Sequence, residues 1–577
     1  MTATRRARLE RAVVLAAGVL VVVWAAAWIR VGIDTGDGGY VVALQLRIAQ
    51  GDLPLVDELN PQSLGALHGA PFVWLWHQLF GLGGLVLAAR AAFLVATVAV
   101  GVLAYRALRT VAGPPAAFAA VTVACLAIPY GIPVLSYNTV PILGSVLSAG
   151  ALAATVETGS RRWAVVCGAA LGLGTLANPQ WLPAGLVLGV VSLVWLSARL
   201  WLPLLAAAAA PLLVLGLWVL AVPGVGRLRN AVSYMQDTRA AITPGSERLE
   251  NNLHALASPL LTPTYLVLLA LAALVTAGVL LRPRSWIPGA ALAVLPVAAL
   301  VPVLRVAWRP LPAEATTALT LPGDIGATSL QASAAAVGVL LVPCLAWLAR
   351  HGRRSLFAVG SFGLGVGLVV TPLLAASTAS GPSRGIAGAG LAVALLVLVL
   401  TAIEAAEPAR WPVGAAAAVA TVAAMAGIAS ATTFPTVPVG RADTSVSSGA
   451  WAGMVGAPGY VDSIRTVRAA LAEHADPGDR VLGVAAPAFP LMADVRVGSP
   501  MLWLTFWGDG NRRGVRWLED PANTPDVVLV VGHDARALSR GRALRTDVLA
   551  EHLRSDYTVV DTTSDPPLTV LRRNPTD

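Results

Sequence analysis

The chain has 577 residues, 56% of them hydrophobic and only 12% charged, and its mean hydropathy is +0.72. A soluble protein would carry about 25% charged residues, so this composition excludes a wholly water-soluble protein, and repeated apolar runs of 18 or more residues predict a polytopic membrane protein. The formal charge is +9, from 40 arginines and no lysine, which matches a GC-rich genome. The arginines cluster between apolar runs rather than on a soluble face, which argues against a nucleic-acid partner.

The first segment, "MTATRRARLERAVVLAAGVLVVVWAAAWI", has a basic start and an apolar stretch without an A-x-A-type cleavage site. It reads as a retained first transmembrane helix. About 13 spans follow from the ~20-residue length needed to cross the hydrocarbon core: 11–30, 84–105, 114–133, 139–157, 163–178, 181–198, 201–222, 262–281, 287–304, 331–349, 355–376, 385–403 and 411–432. With a cytoplasmic N-terminus every inner turn carries arginine: Arg5, Arg6, Arg8 and Arg11; Arg106 and Arg109; Arg161 and Arg162; Arg199; Arg282 and Arg284; Arg350, Arg353 and Arg354; Arg410. An odd number of spans then places the C-terminal part outside the cell membrane.

Three outer regions are long: 31–83, 223–261 and 433–577. Residues 433–450 read as a linker and 451–577 as a small extracytoplasmic α/β domain, carrying 15 arginines against 17 acids from residue 440 onward. In "YVDSIRTVRAALAEHA", Ile464, Val467, Ala470 and Leu471 fall on one helical face. "RVLGVAA", "DVVLVVG", "YTVVDTT" and "LTVLRR" read as strands. Cys125, Cys167 and Cys344 lie in apolar runs and suggest neither disulfides nor a metal cluster.

The most informative stretch is "IRVGIDTGDGGYVVALQLRIAQGDLP", from Ile29. It brings Asp34 and Asp37 to the membrane edge beside Gly36, Gly38 and Gly39, which allow a sharp turn and the close approach of a ligand. "YVVALQLRIAQG" predicts a short interfacial helix ending at Gly51. The loop continues through Asp57, Glu58 and His68, and "FVWLWHQLF" puts Trp74 and Trp76 where aromatic belts sit.

This pattern resembles the GT-C superfamily of polytopic membrane glycosyltransferases, which use polyprenyl-phosphate sugars and include bacterial mannosyl-, arabinosyl- and aminoarabinosyltransferases. The matching residues are "DGGY", the continuation "AQGDLPLVD", "LFG" before the second span, and Arg90 early in that span. The resemblance implies an α-helical polytopic fold with a transmembrane part over 1–432 and an outer α/β domain. It also implies an inverting single displacement from a polyprenyl-phosphate donor to an envelope glycan, lipid or protein acceptor, with membrane lipid as surroundings. Asp37 aligns with the superfamily's first-loop aspartate and is the expected general base; Asp34 is its close rival.

The residue types suit that chemistry. A carboxylate can take the acceptor hydroxyl's proton, and the departing phosphate needs positive charge nearby. Arg90 either holds that phosphate or snorkels to the interface. Arg384, in "STASGPSRGIAG", either holds phosphate or is a plain loop arginine. Asp34, Asp37 and Asp57 could hold a divalent cation, though the set of oxygen ligands is thin, and the sequence establishes no cofactor requirement. Tyr40, Asp57, His68 and Asn138 are the candidates for substrate binding. His68 has no second histidine at metal spacing, and helix capping explains Asn138 and Asn178 equally well. In "MLWLTFWGDGNRRGVRW", Trp503, Phe506, Trp507 and Trp517 either stack on an acceptor glycan or pack the domain. The competing function is a transporter or flippase of lipid-linked glycan, which would favour charges near the bilayer midplane.

Overall fold

The computed structural model describes residues 3–126, 132–240, 263–281, 338–366, 384–405, 432–433, 437–438, 442–476, 478–504, 511–521, 523–532, 534–535, 548–564 and 567–575, with a few isolated positions between 241 and 262. The predicted spans 287–304 and 411–432 lie largely or wholly outside these residues, as do Phe506 and Trp507.

The chain opens with α1 (Ala3–Trp28), followed by α2 (Asp37–Ala49), α3 (Ser63–Ala66) and α4 (Ala70–Phe80). Then come α5 (Leu85–Leu108), α6 (Pro114–Leu126), α7 (Thr139–Thr158), α8 (Arg161–Ala177), α9 (Leu182–Trp195) and α10 (Ala198–Ala221). Further helices cover Gly224–Ala240, Pro263–Leu281, Gly338–Arg350, Arg354–Gly365 and Arg384–Ala405. Among the described residues four helices are long and apolar enough to cross a membrane: Glu10–Trp28, Leu85–Leu108, Thr139–Thr158 and Ala198–Ala221. Shorter apolar helices occupy others of the predicted spans. This is a mostly helical membrane protein.

Helix α7 is the hub, and nearly all of it is buried. Lipid offers no hydrophobic drive between helices, so small side chains and shared polar groups decide the contacts. Ser148 Oγ on α7 donates to Cys167 O on α8 at 2.9 Å, and Cys167 Sγ returns the bond to Ser148 O at 3.3 Å. The three cysteines are free and buried, as expected of small apolar residues.

Four of the turns predicted to share one side meet at one end of the bundle. Arg353 Nε donates to Glu404 at 2.7 Å, Arg353 Nη2 donates to Val111 O at 3.1 Å, and Ser355 Oγ donates to Glu157. The first loop and the C-terminal sheet occupy the other, "loop" end.

At the loop end lies a five-stranded mixed sheet in the order β2-β1-β3-β5-β4, built from β1 (Arg480–Val484), β2 (Arg496–Val497), β3 (Val527–Val531), β4 (Tyr557–Ser564) and β5 (Pro567–Arg573). Strands β1 to β3 are parallel, and β3, β5 and β4 are antiparallel. All four predicted strand runs are in it. The helix Pro458–His474 buries Ile464, Val467, Ala470 and Leu471 as their spacing requires. Strand β3, "VVLVV", is buried on both faces and reads as a continuous apolar run for that reason.

Two sequence expectations change. Helix α2 does not rest on the interface: it is buried from Gly38 to Arg47. Apart from Asp37, its residues are apolar but for Gln45 and Arg47, which are buried with partners of their own, so it needs cover on nearly every side, which α4 and the C-terminal region supply. The predicted linker is also not loose past residue 443. Thr444–Ser445 pairs antiparallel with Val455–Gly456, and this hairpin carries the buried Ala450 and Trp451.

Candidate active site

The segment leaving α1 is held from two sides. Gly32 N donates to Val455 O at 2.8 Å and Val455 N to Arg30 O at 2.9 Å, so Val31 forms a parallel bridge with the C-terminal hairpin. From the membrane side comes Arg90, in the second turn of α5 and 6% exposed. Its Nη1 donates to Ile29 O at 2.9 Å and Val31 O at 3.0 Å, and its Nη2 to Gly32 O at 2.7 Å. An arginine at this depth must find partners inside the protein, and these carbonyls lie just past the end of α1 at Trp28, where the chain no longer supplies helical donors.

Arg90 therefore neither snorkels nor points its fork at a ligand. It clamps the strand that leads to Asp34. Arg90→Met should loosen residues 29–34 and speed trypsin cleavage after Arg30 several-fold in the solubilised protein; an unchanged cleavage rate would refute the clamp.

Asp34 is 4% exposed and turns the chain into α2. Its Oδ1 accepts from Gly36 N at 2.7 Å and its Oδ2 from Gly38 N. These N–H groups are among the orphan donors of a helix start, so Asp34 does the work of a cap. The glycines are explained by crowding. A Cβ on Gly38 would meet Asp34 Oδ2 at 2.8 Å, and one on Gly39 would meet Ala488 Cβ at 2.7 Å and Asp34 O at 2.8 Å. The close approach they permit is that of the protein's own carboxylate and C-terminal region, not of a ligand.

Burial, then the charge of Asp37, pushes the Asp34 carboxyl up to about 7, against the pull of the two N–H groups and Arg90. The folded state therefore keeps a proton that the unfolded chain has lost above pH 4. Through this group stability is greatest below the unfolded pKa and falls as pH rises toward 7. Thermal midpoints measured from pH 5 to pH 8 should fall with pH, by on the order of 1–4 kcal/mol in stability, and Asp34→Asn should flatten that slope. A slope unchanged in Asp34→Asn would refute the assignment.

Asp37 is the first residue of α2 and is half-buried, so it opens to the surroundings where Asp34 does not. An acid there also suits the helix dipole. Around the pair stand Trp451, Ala488 and Tyr460. Tyr460 is 5% exposed, and its phenol is pushed up by burial and by the charge of Asp34. None of these three was singled out from the sequence, because they lie more than 400 residues from the loop they cover.

The far end of α2 is fixed by Arg47, another residue the sequence reading missed. Its side chain is buried, with Nε on Asp52 Oδ2 at 2.5 Å and Nη1 on Glu58 Oε2 at 2.8 Å. Its Nη2 donates to Asp57 O at 2.5 Å and to Ser499 O at 2.9 Å. Glu58 in turn accepts from Leu502 N at 3.0 Å and Asn60 N at 3.2 Å. One buried ion pair thus ties the first loop to residues 499–502. The legible signal was an arginine within the apolar "YVVALQLRIA", with acids at 52, 57 and 58 to receive it.

Tyr40 is fully buried, accepts from Asn60 Nδ2 at 2.7 Å and packs edge-on against Trp503 at 5.2 Å. It is a core residue between loop and sheet rather than part of a substrate surface, and Trp503 belongs to that packing. Asp57 Oδ2 accepts from Leu53 N at 2.7 Å and closes its own turn. Trp517 packs beside the sheet's other apolar cluster.

His68 is largely buried, and burial pushes its imidazole down against the pull of the Gly65, Leu64 and Leu173 carbonyls. Asn138 is 8% exposed at the N-cap position of α7, yet its side chain makes no capping bond. Asn178 does cap, accepting from Gln180 N at 3.2 Å, and its amide donates to Tyr137 O at 3.2 Å. Arg384 opens the helix Arg384–Ala405, and its side chain lies outside the described residues. Among the described residues no three His, Cys, Asp or Glu side chains converge as a cation site, and Asp57 does not join Asp34 and Asp37.

No family model matches the chain, and no curated protein does. Solved structures match it along its whole length. ArnT from Cupriavidus metallidurans bound to undecaprenyl phosphate is 17% identical, with 100% of both chains covered and a TM-score of 0.42. The apo form of the same protein gives a TM-score of 0.37. The oligosaccharyltransferase AglB from Archaeoglobus fulgidus, in complex with an inhibitory peptide and a dolichol-phosphate, is 13% identical, covering 94% of this chain and 72% of its own, with a TM-score of 0.44. These likenesses are of layout alone, and the chemistry rests on the residues of the loop end.

Proposed function

We propose that the chain is a membrane glycosyltransferase that moves a sugar from a polyprenyl-phosphate donor to an acceptor outside the membrane, with Asp37 as general base. The observation that carries this reading is the contrast within one turn. Asp34 is sealed and bonded to two backbone N–H groups, Arg90 and the C-terminal hairpin fix the strand before it, and Asp37, three residues on, is only half-buried at the first residue of α2. A preorganised carboxylate at a membrane edge suits proton removal from a hydroxyl brought to a lipid-borne donor.

In the proposed step the acceptor oxygen attacks the anomeric carbon. The bond from that carbon to the phosphate oxygen breaks, and the hydroxyl proton passes to Asp37. Polyprenyl phosphate leaves with one more negative charge than it had in the donor. One carboxylate suffices, and the anomeric configuration inverts. His68 and Asn138, both at the loop end and with their side chains not committed to capping, are proposed to bind sugar or acceptor hydroxyls. Arg384 remains a candidate for the donor phosphate; Arg90 is assigned to the turn instead.

The test is glycan linkage analysis of the cell envelope in a deletion strain complemented with wild type or with Asp37→Asn. A linkage lost on deletion and restored by wild type alone supports the transferase. Rescue by Asp37→Asn would remove the base assignment and move transport forward.

A further inference from the structure

We infer that Arg30 is the cation that receives the donor's phosphate; this rests on the transferase reading. With both Nη atoms of Arg90 on backbone carbonyls, the leaving phosphate needs another positive group at the membrane edge.

Arg30 stands two residues beyond α1 and four before Asp34, and it is exposed. An exposed arginine at a helix end ordinarily sweeps freely and snorkels. This one is held. The carbonyls before and after it, of Ile29 and Val31, accept from Arg90, and its own carbonyl accepts from Val455 N at 2.9 Å. Its Nε donates to Gly453 O at 3.3 Å. Among the described residues it forms no ion pair, and its Nη1 and Nη2 have no protein partner. Five N–H groups in a planar fork suit phosphate oxygens, and here the fork's direction is set by backbone bonds on both sides.

The surroundings fit a lipid-borne ligand. Helix α1 below Arg30 exposes Leu15, Val19, Leu20 and Val23, an apolar face that a polyprenyl chain can follow up to the headgroup. The charge change fits as well. The phosphate gains one negative charge as the sugar leaves, so a fixed cation favours the transition state and product over the bound donor.

The shared chemistry is a phosphate on a lipid, and two sources could supply it: the polyprenyl carrier or ordinary bilayer phospholipid. The test uses the full-length chain in phosphatidylcholine nanodiscs, titrated with undecaprenyl phosphate and followed by intrinsic tryptophan fluorescence. Undecaprenol is the uncharged control and phosphatidylglycerol the competitor. Wild type should bind undecaprenyl phosphate, Arg30→Gln should lose about 10-fold or more in affinity, and Arg30→Lys should lose less. Undecaprenol binding should be equal in all three, which also shows the variants to be folded, and excess phosphatidylglycerol should leave wild-type binding in place. Equal binding of undecaprenyl phosphate by wild type and Arg30→Gln overturns the inference while the transferase reading stands. Displacement by phosphatidylglycerol overturns it too, and makes Arg30 an anchor for bulk lipid. No binding by wild type overturns the transferase reading itself.

Discussion

Asp37→Asn is expected to lower sugar transfer by about 10²–10⁴-fold, the contribution of a positioned general base, while the protein still reaches the membrane. Asparagine keeps the shape of the side chain and its place at the first residue of α2. It cannot take a proton. The measurement is release of polyprenyl phosphate from a labelled donor by purified wild type and variant, with the thermal midpoint recorded alongside. Asp34→Asn should show the opposite balance. It disturbs the bonds to Gly36 and Gly38, so its loss of activity should come with a lower midpoint. If Asp34→Asn is the inactive but fully stable variant, the two roles are reversed.

Arg47→Met is expected to destabilise the protein by about 3–5 kcal/mol, the cost of breaking a buried ion pair from one side. Methionine fills much of the arginine's stem, so little of this is cavity. The loss comes from Glu58, left 1% exposed without its cation, and from the Asp57 and Ser499 carbonyls left without a donor. Both ends of the bracket are held by main chain, so the consequence is specific: residues 499–502 should part from the first loop before the helical bundle melts. Limited proteolysis should then cut in the C-terminal region at temperatures where the wild type resists. The double variant Arg47→Met/Glu58→Leu should recover part of the loss, since an apolar pair can replace a buried ionic one. Recovery should stay incomplete because Leu502 N also loses its acceptor. An Arg47→Met midpoint equal to wild type would show that the bracket holds nothing.

These two expectations concern opposite ends of one 13-residue helix. Its first residue is proposed to do the chemistry, and its far end is tied to a sheet assembled from residues beyond 480. The C-terminal region therefore belongs to the frame of the site. Ala488 packs on Gly39, Trp451 lies beside it, and the Val455 backbone pairs with Gly32 and Arg30.

The sequence by itself determined the membrane setting, the helical character of most of the chain, the four main strands and the buried face of Pro458–His474. Each depends on local composition or on periods of 2 and 3.6, which are written in neighbouring residues. It also marked the first loop, because carboxylates, glycines and a tyrosine stand out beside apolar runs. Only the tertiary structure separated Asp34 from Asp37. The two are three apart and chemically equal, and what divides them is burial, Asp34 being sealed and Asp37 half-buried. The same holds for the arginines. Arg90 lay where a phosphate ligand was expected, yet the end of α1 left carbonyls that needed it. Arg47 and Tyr40, in a helix expected to lie on the interface, became core residues once the sheet covered them. A polar side chain's role follows from which partner reaches it first in space, and that partner ranges from Gly36, two positions from Asp34, to Ser499, 452 positions from Arg47.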